Sequence, residues 1–224
     1  MPDTVRRSNL LDQARAAFYR ARFQANLQKL RGDQERLAAD DDLLAAIHFG
    51  WNNGNWPAGV DLMRTCIQRA RHTTGHIVEC GSGLSTLLMG LAAAPEGRQV
   101  WALEHHEDWF HRMRREIKRQ GLDNVHLVHA PLKSYGDFDW YDIDPAQLPR
   151  PVGLLLVDGP PADTKGGRRG ALSLLAPIIH SPCTIIVDDV DREDELLLLR
   201  DWARQLNAEY QILGRLQDFA VMPY

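Results

Sequence analysis

His76-Ile77-Val78-Glu79-Cys80-Gly81-Ser82-Gly83-Leu84-Ser85-Thr86 decides the fold. A short apolar run ends in an acid, passes two glycines one residue apart, and enters an apolar segment of helical spacing. That order reads as strand, tight turn and helix. Next comes a second apolar run, Gln99-Val100-Trp101-Ala102-Leu103, which ends in Glu104. Glycines let a ligand lie against the backbone, and an acid closing the next strand can accept both hydrogen bonds of a ribose diol. Together they predict a nucleoside cofactor at the carboxyl end of a parallel sheet.

A dinucleotide fingerprint needs a third glycine three residues beyond Gly83, where this chain has Thr86. An acid at Glu79 is also unfavourable beside a pyrophosphate but suits a cationic group such as the amino end of a methionine moiety. At Glu79, Gly81 and Gly83 the chain resembles class I S-adenosylmethionine-dependent methyltransferases, whose first motif is Glu/Asp-x-Gly-x-Gly-x-Gly. Ser85 replaces the third glycine, as in a Gly-x-Gly-x-Ser-Thr branch of that superfamily. The resemblance covers about residues 51–204, most of the chain. It implies S-adenosylmethionine as cofactor, with Glu79, Gly81, Ser82, Gly83, Ser85 and Thr86 around its methionine side, Glu104 on the ribose, and His105 beside it. Relatives often carry an acid after strand three that touches the adenine amine. Ala130-Pro131-Leu132 stands there instead, so Leu132 is expected to give an apolar adenine contact.

Strands read at 152–157 and 184–187 also end in acids, Asp158 and the pair Asp188-Asp189. In an open α/β sheet these ends converge on one crevice. Three gathered carboxylates repel unless protonated, separated or bridged by a cation. Oxygen ligands suit Mg²⁺, Ca²⁺ or Mn²⁺. Equally, acids after strands cap helices, and 188–195 is an acidic run at a helix start. The arrangement is similar to metal-dependent small-molecule O-methyltransferases, including those acting on catechols and sugars, which implies Asp158, Asp188 and Asp189 as ligands of Mg²⁺. Such relatives place a proton acceptor soon after the strand-four acid. Here Pro160 and Pro161 occupy that stretch, leaving Lys165 as the nearest candidate, with His105 or His106 on the other side. Asp158-Gly159-Pro160-Pro161 followed by Arg168 before Ala171-Leu172 also matches the branch. Arg168 is expected either to bind an anionic substrate group or to pair with an acid at the surface. Asp158, Lys165 and Asp188 are the candidate catalytic residues.

Before the motif, 50–59 is a loop of two tryptophans, three asparagines and three glycines. It reads as a Trp-anchored structural loop, or, as the resemblance implies from an Asn/Trp-rich segment near the cofactor in that branch, as a contact surface in which Asn53, Asn55 and Trp56 touch cofactor or substrate, with Asn53 assigned to the cofactor and Trp56 to the substrate. Residues 8–39 carry apolar residues at helical spacing, Leu10, Ala14, Phe18 and Ala21, then Phe23, Leu27 and Leu30, with Ser8 as an N-cap. One or two amphipathic helices are expected there. They form an N-terminal extension over 1–49, ahead of a methyltransferase domain over 50–224. That domain is expected to be a doubly wound, Rossmann-like α/β sheet of seven mostly parallel strands, with a reversed final strand implied by the resemblance.

At 224 residues and 44% hydrophobic content the chain can bury one sizeable core. A net charge of −4 and a pI of about 6.1 provide no global basic field for nucleic acid. Three scattered cysteines form no C-x-x-C pair, which argues against a disulfide framework or zinc knuckle. With no long apolar run, a cytoplasmic protein without membrane contact is expected. The partners expected are a small-molecule substrate and a second copy of the chain through the N-terminal helices. The reading is methyl transfer to a small-molecule hydroxyl, Mg²⁺-assisted or not. Its rivals are metal-independent N-methylation, a non-catalytic S-adenosylmethionine-binding protein and, against the missing glycine, a nucleotide-dependent oxidoreductase.

Overall fold

The computed structural model of the chain describes residues 2–33, 39–51, 59–215 and 217–224, with side chains from residue 13 onward except at 180. Two compact units divide it, Met1–Arg64 and Thr65–Tyr224.

In the first unit one uninterrupted helix, α1 (Pro2–Gly32), replaces the one or two expected from the spacing. Ser8 thus lies inside a helix that begins at Pro2, a residue suited to a first turn because it lacks the orphan N–H. Of the first predicted stripe, the described side chains of Ala14, Phe18 and Ala21 are exposed, and the second stripe is covered. Phe23, Leu27 and Leu30 are buried, whereas Phe18 is 56% exposed. α2 (Asp41–Trp51) starts where Asp40 Oδ1 accepts the Leu43 amide at 2.9 Å, a helix cap. Gly50 lets α2 approach α1 closely, since a Cβ there would stand 3.0 Å from Phe23. α3 (Val60–His72) buries Met63, Cys66, Ile67 and Ala70 at helical spacing.

The second unit is a seven-stranded sheet in the order β3-β2-β1-β6-β7-β9-β8. Its strands are β1 (His76–Cys80), β2 (Val100–Glu104), β3 (Val125–His129), β6 (Val152–Val157), β7 (Ile179–Val187), β8 (Gln211–Leu213) and β9 (Phe219–Pro223). The first five run parallel, while β9 is antiparallel to both β7 and β8, so the expected doubly wound sheet with a reversed end is present. Its crossover helices are α4 (Leu84–Ala93), α5 (Glu107–Gln120), α6 (Gly170–Leu175) and α7 (Glu193–Leu206). β6 is buried at every position, as a central parallel strand covered on both faces must be.

After β3 the chain forms a small hairpin of β4 (Leu132–Ser134) and β5 (Asp139–Tyr141). β5 buries Trp140 and Tyr141 in the core with Leu155, Val157, Leu172 and Leu175. α6 stops at Leu175, followed by a tighter turn that contains Pro177. β7 consequently begins at Ile179, five residues earlier than read.

The chain leaves β1 for β2 and β3 on one side and returns through β6 and β7 on the other. β1 and β6 flank the point where the winding reverses, and their carboxyl ends open the crevice where open α/β sheets bind ligands. Register makes this concrete. Leu103, Cys80, Val157 and Val187 stand side by side. The residues that follow them are Glu104, Gly81, Asp158 and Asp188.

Candidate cofactor and acceptor site

The site is built along that row. Gly81 donates to Leu103 O at 2.9 Å, Asp158 to Cys80 O at 3.1 Å, and Asp188 to Val157 O at 3.1 Å. Gly81 leaves β1 at φ +102°, a conformation that an L side chain strains to adopt. The reversal carries Ser82 over the tip of β2. There Ser82 Oγ donates to Glu104 Oε2 at 2.6 Å, and Trp109 Nε1 donates to Ser82 O at 2.8 Å. Glu104 Oε1 accepts the His106 amide at 2.8 Å, with His105 Nδ1 at 3.4 Å. Each carboxylate oxygen has two acceptor positions, so Glu104 keeps capacity for a diol. Burial depresses the His105 pKa against the pull of Glu104, which favours a neutral ring.

Glu79 is turned into the fold. Its carboxylate is fully buried, and both oxygens are taken. Ser85 Oγ donates to Oε1 at 2.5 Å and Thr86 Oγ1 to Oε2 at 2.6 Å. Thr86 Oγ1 in turn accepts the Gly83 amide at 2.9 Å. Glu79, Ser85 and Thr86 therefore knit the end of β1 to the start of α4, with their polar atoms on one another. Burial raises the Glu79 carboxyl to about 7, the two hydroxyls acting against it. Leu132 opens β4, half-buried against the core, opposite Tyr141. Asn53, Asn55 and Trp56 lie outside the described residues.

The acid cluster is real, and it holds a cation already. One oxygen each of Asp158, Asp188 and Asp189 lies within 4.8 Å of the others. Arg168, at 2% exposure, reaches among them. Its Nη2 donates to Asp189 Oδ2 at 2.6 Å and to Asp158 O at 3.0 Å, and stands 3.7 Å from Asp158 Oδ1. Its Nη1 donates to Val157 O at 3.3 Å and to the Asp188 carbonyl, and Nε faces Glu195 Oε1 at 3.7 Å. Arg192 adds a second cation 2.9 Å from Asp189 Oδ2, and Gln217 Nε2 donates to Asp189 Oδ1 at 2.7 Å. Asp188 Oδ1 is buried without a hydrogen-bond partner. Burial raises the Asp188 carboxyl, and the charges of Asp158 and Asp189 raise it further. Burial raises Asp158 too, and Arg168 opposes that rise.

Two expectations need correcting. Arg168 does not face a substrate anion or a surface acid, because its guanidinium is spent inside on backbone carbonyls and carboxylates. Gly166 and Gly167, at φ +75° and +54°, turn the loop so that it points inward. Lys165 is exposed and donates from Nζ to Gly136 O at 2.7 Å. Among the described residues it makes no bond to the three aspartates. The three aspartates of the predicted Mg²⁺ set are brought together, with the charges of Arg168 and Arg192 on Asp189 opposing a further cation there.

Glu195, Gln217, Trp109 and Tyr141 are site residues that spacing did not single out for these roles. The Tyr141 hydroxyl is buried without a hydrogen-bond partner, and a Cβ on Gly159 would collide with it. Tyr141 follows the buried Trp140, so an aromatic pair closing a short hairpin was its one visible signal.

No family model matches the chain, and no curated protein matches it in sequence. Solved structures match its fold. The O-methyltransferase TomG from Streptomyces achromogenes, involved in tomaymycin synthesis and solved in complex with SAM, is 14% identical, with a TM-score of 0.57 over 82% of this chain and 88% of that one. The SAH-bound methyltransferase PaMTH1 of Podospora anserina is 16% identical, with a TM-score of 0.55 over 83% and 88%. Precorrin-6y C5,15-methyltransferase from Geobacter metallireducens is 10% identical, with a TM-score of 0.58 over 76% and 91%. Their names differ in acceptor, so the shared fold does not choose one. What the likeness shows is the fold, one that these methyltransferases share.

Proposed function

We propose that this protein transfers the methyl group of S-adenosylmethionine to a hydroxyl oxygen of a small molecule. One observation carries the reading: the Gly81 turn and the Glu104 carboxylate are locked together by Ser82 at the point where the sheet reverses. A nucleoside laid along Gly81–Gly83 meets backbone without a side chain between them and finds the Glu104 oxygens at its ribose. Leu132 and His105 flank that position. Glu79 serves it indirectly, by holding Ser85 and Thr86 in the turn.

The bound cofactor supplies an already activated sulfonium. The protein then has to align the acceptor in line with the methyl group and take its proton. Asp158 is the aspartate open enough to meet an acceptor, with 32% of its side chain exposed against 2% for Asp188 in the residue as a whole. Asp158 accepts the hydroxyl proton, and Asp188 behind it shapes the local charge. Mg²⁺ assistance, which three neighbouring acids invite, would set a further cation against Asp189 beside Arg168 and Arg192, and that repulsion supports the metal-free route. The expected self-association finds support in the first unit, where Phe18 and Phe49 leave 56% and 55% of their surface exposed.

Titration calorimetry with S-adenosylmethionine and S-adenosylhomocysteine tests the reading, followed by turnover on hydroxylated acceptors in the presence of chelator. Micromolar binding with turnover is expected. Binding without turnover on oxygen or nitrogen acceptors would favour a non-catalytic cofactor-binding protein, and no binding of either nucleoside would sink the proposal.

A further inference from the structure

We propose that Arg168 is the resident cation of the acidic cluster, its guanidinium filling the place a divalent ion would take between Asp158 and Asp189, so that the native chain binds no such ion there. The consequence for methyl transfer rests on the function proposed above. The binding claim does not.

A divalent ion shared by Asp158, Asp188 and Asp189 would need one oxygen from each at about 2.0–2.6 Å. Arg168 Nη2 already lies 2.6 Å from Asp189 Oδ2 and 3.7 Å from Asp158 Oδ1. An ion entering between those carboxylates would meet a fixed positive charge at contact range, with Arg192 behind Asp189 at 2.9 Å.

Nor is Arg168 free to swing aside. Its other donors go to the main-chain carbonyls of Val157, Asp158 and Asp188, the ends of β6 and β7, and Glu195 from α7 closes the far side. Only a planar fork of donors reaches acceptors in so many directions at once. The loop that delivers it is held in turn. Gly166 packs so closely that a Cβ would stand 2.5 Å from Phe138 Cβ and 3.0 Å from its Cα. The guanidinium therefore does two things a metal would do: it sets a positive charge between Asp158 and Asp189 and ties two strand ends together.

The test is electron paramagnetic resonance titration of Mn²⁺ into the full chain, read without turnover. The native protein should leave the free-ion spectrum unchanged at millimolar protein. Arg168→Met, which removes the charge at similar length, should gain Mn²⁺ affinity by about tenfold or more. That gain should vanish in the double variant with Asp158→Asn. If Arg168→Met fails to fold, Arg168→Gln replaces it, keeping an amide donor to the strand-end carbonyls without the charge. Stoichiometric Mn²⁺ binding by the native chain that Asp158→Asn removes would overturn the proposal, as would variants lacking the arginine that fold and gain nothing. S-adenosylhomocysteine binding measured on the same samples reports separately on the proposed function, so its failure is distinguishable from failure of the cation claim.

Discussion

Ser82 Oγ donates to Glu104 Oε2 across 2.6 Å, joining the turn after β1 to the tip of β2. That bond keeps the acid close to the glycine backbone a nucleoside would lie on. Replacing Glu104 by Ala should weaken S-adenosylhomocysteine binding by about tenfold or more, the usual worth of hydrogen bonds to a charged acceptor. Ser82→Ala should weaken it less, because the carboxylate stays and only its orientation loosens. Calorimetry on both variants checks the order, and equal or absent losses would remove Glu104 from the ribose site.

Asp158→Ala should lower turnover by about a hundredfold or more while leaving cofactor affinity nearly unchanged. In the proposed arrangement its side chain meets the acceptor, whereas the cofactor contacts come from β1 and β2. Unchanged turnover would strip Asp158 of the proton-accepting role, and a parallel loss of cofactor binding would make its role structural.

Gly81→Ala probes the turn itself. The new Cβ would meet only ordinary contacts, the nearest being Gly159 N at 3.5 Å, so its cost is backbone strain at φ +102°. A destabilisation of about 1–2 kcal/mol is expected from urea unfolding. A larger loss in cofactor affinity should accompany it, since the methyl group would stand where the ligand approaches. A neutral substitution would show that the turn relaxes.

Glu79 predicts a pH dependence of stability. Burial raises its carboxyl from the ordinary 4.5 to about 7 in the fold. Between those values the folded chain binds more protons than the unfolded one, so this group favours folding at low pH and loses that contribution as pH rises through about 7. The full swing is on the order of 3 kcal/mol. Glu79→Gln, which keeps a partner for the hydroxyls without the charge, should flatten the difference in unfolding free energy between about pH 5 and about pH 8. Parallel profiles for the two proteins would show that Glu79 does not titrate in this range.

The residues themselves determined the plan of the sheet. Apolar runs of strand length, each ending in Glu104, Asp158 or Asp188, alternate with helical spacings. A parallel sheet with one reversal then brings those ends into a row by register alone. The glycines of the turn and the acids of the crevice were legible for the same reason: backbone geometry and strand ends are local properties of a sequence.

Tertiary structure decided where each side chain spends its charge. Nothing local shows that Ser85 and Thr86 close on Glu79, that Trp140 and Tyr141 fold back as a hairpin into the core, or that Gln217 meets Asp189 from 28 positions away. Arg168 is the sharpest case. The first of two arginines after two glycines reads equally well as a surface residue or a substrate clamp. It becomes an internal counter-ion only because β6, β7 and α7 bring three backbone carbonyls, Asp189 and Glu195 around it. A buried charge is tolerated where its partners converge, and that convergence is a property of the fold.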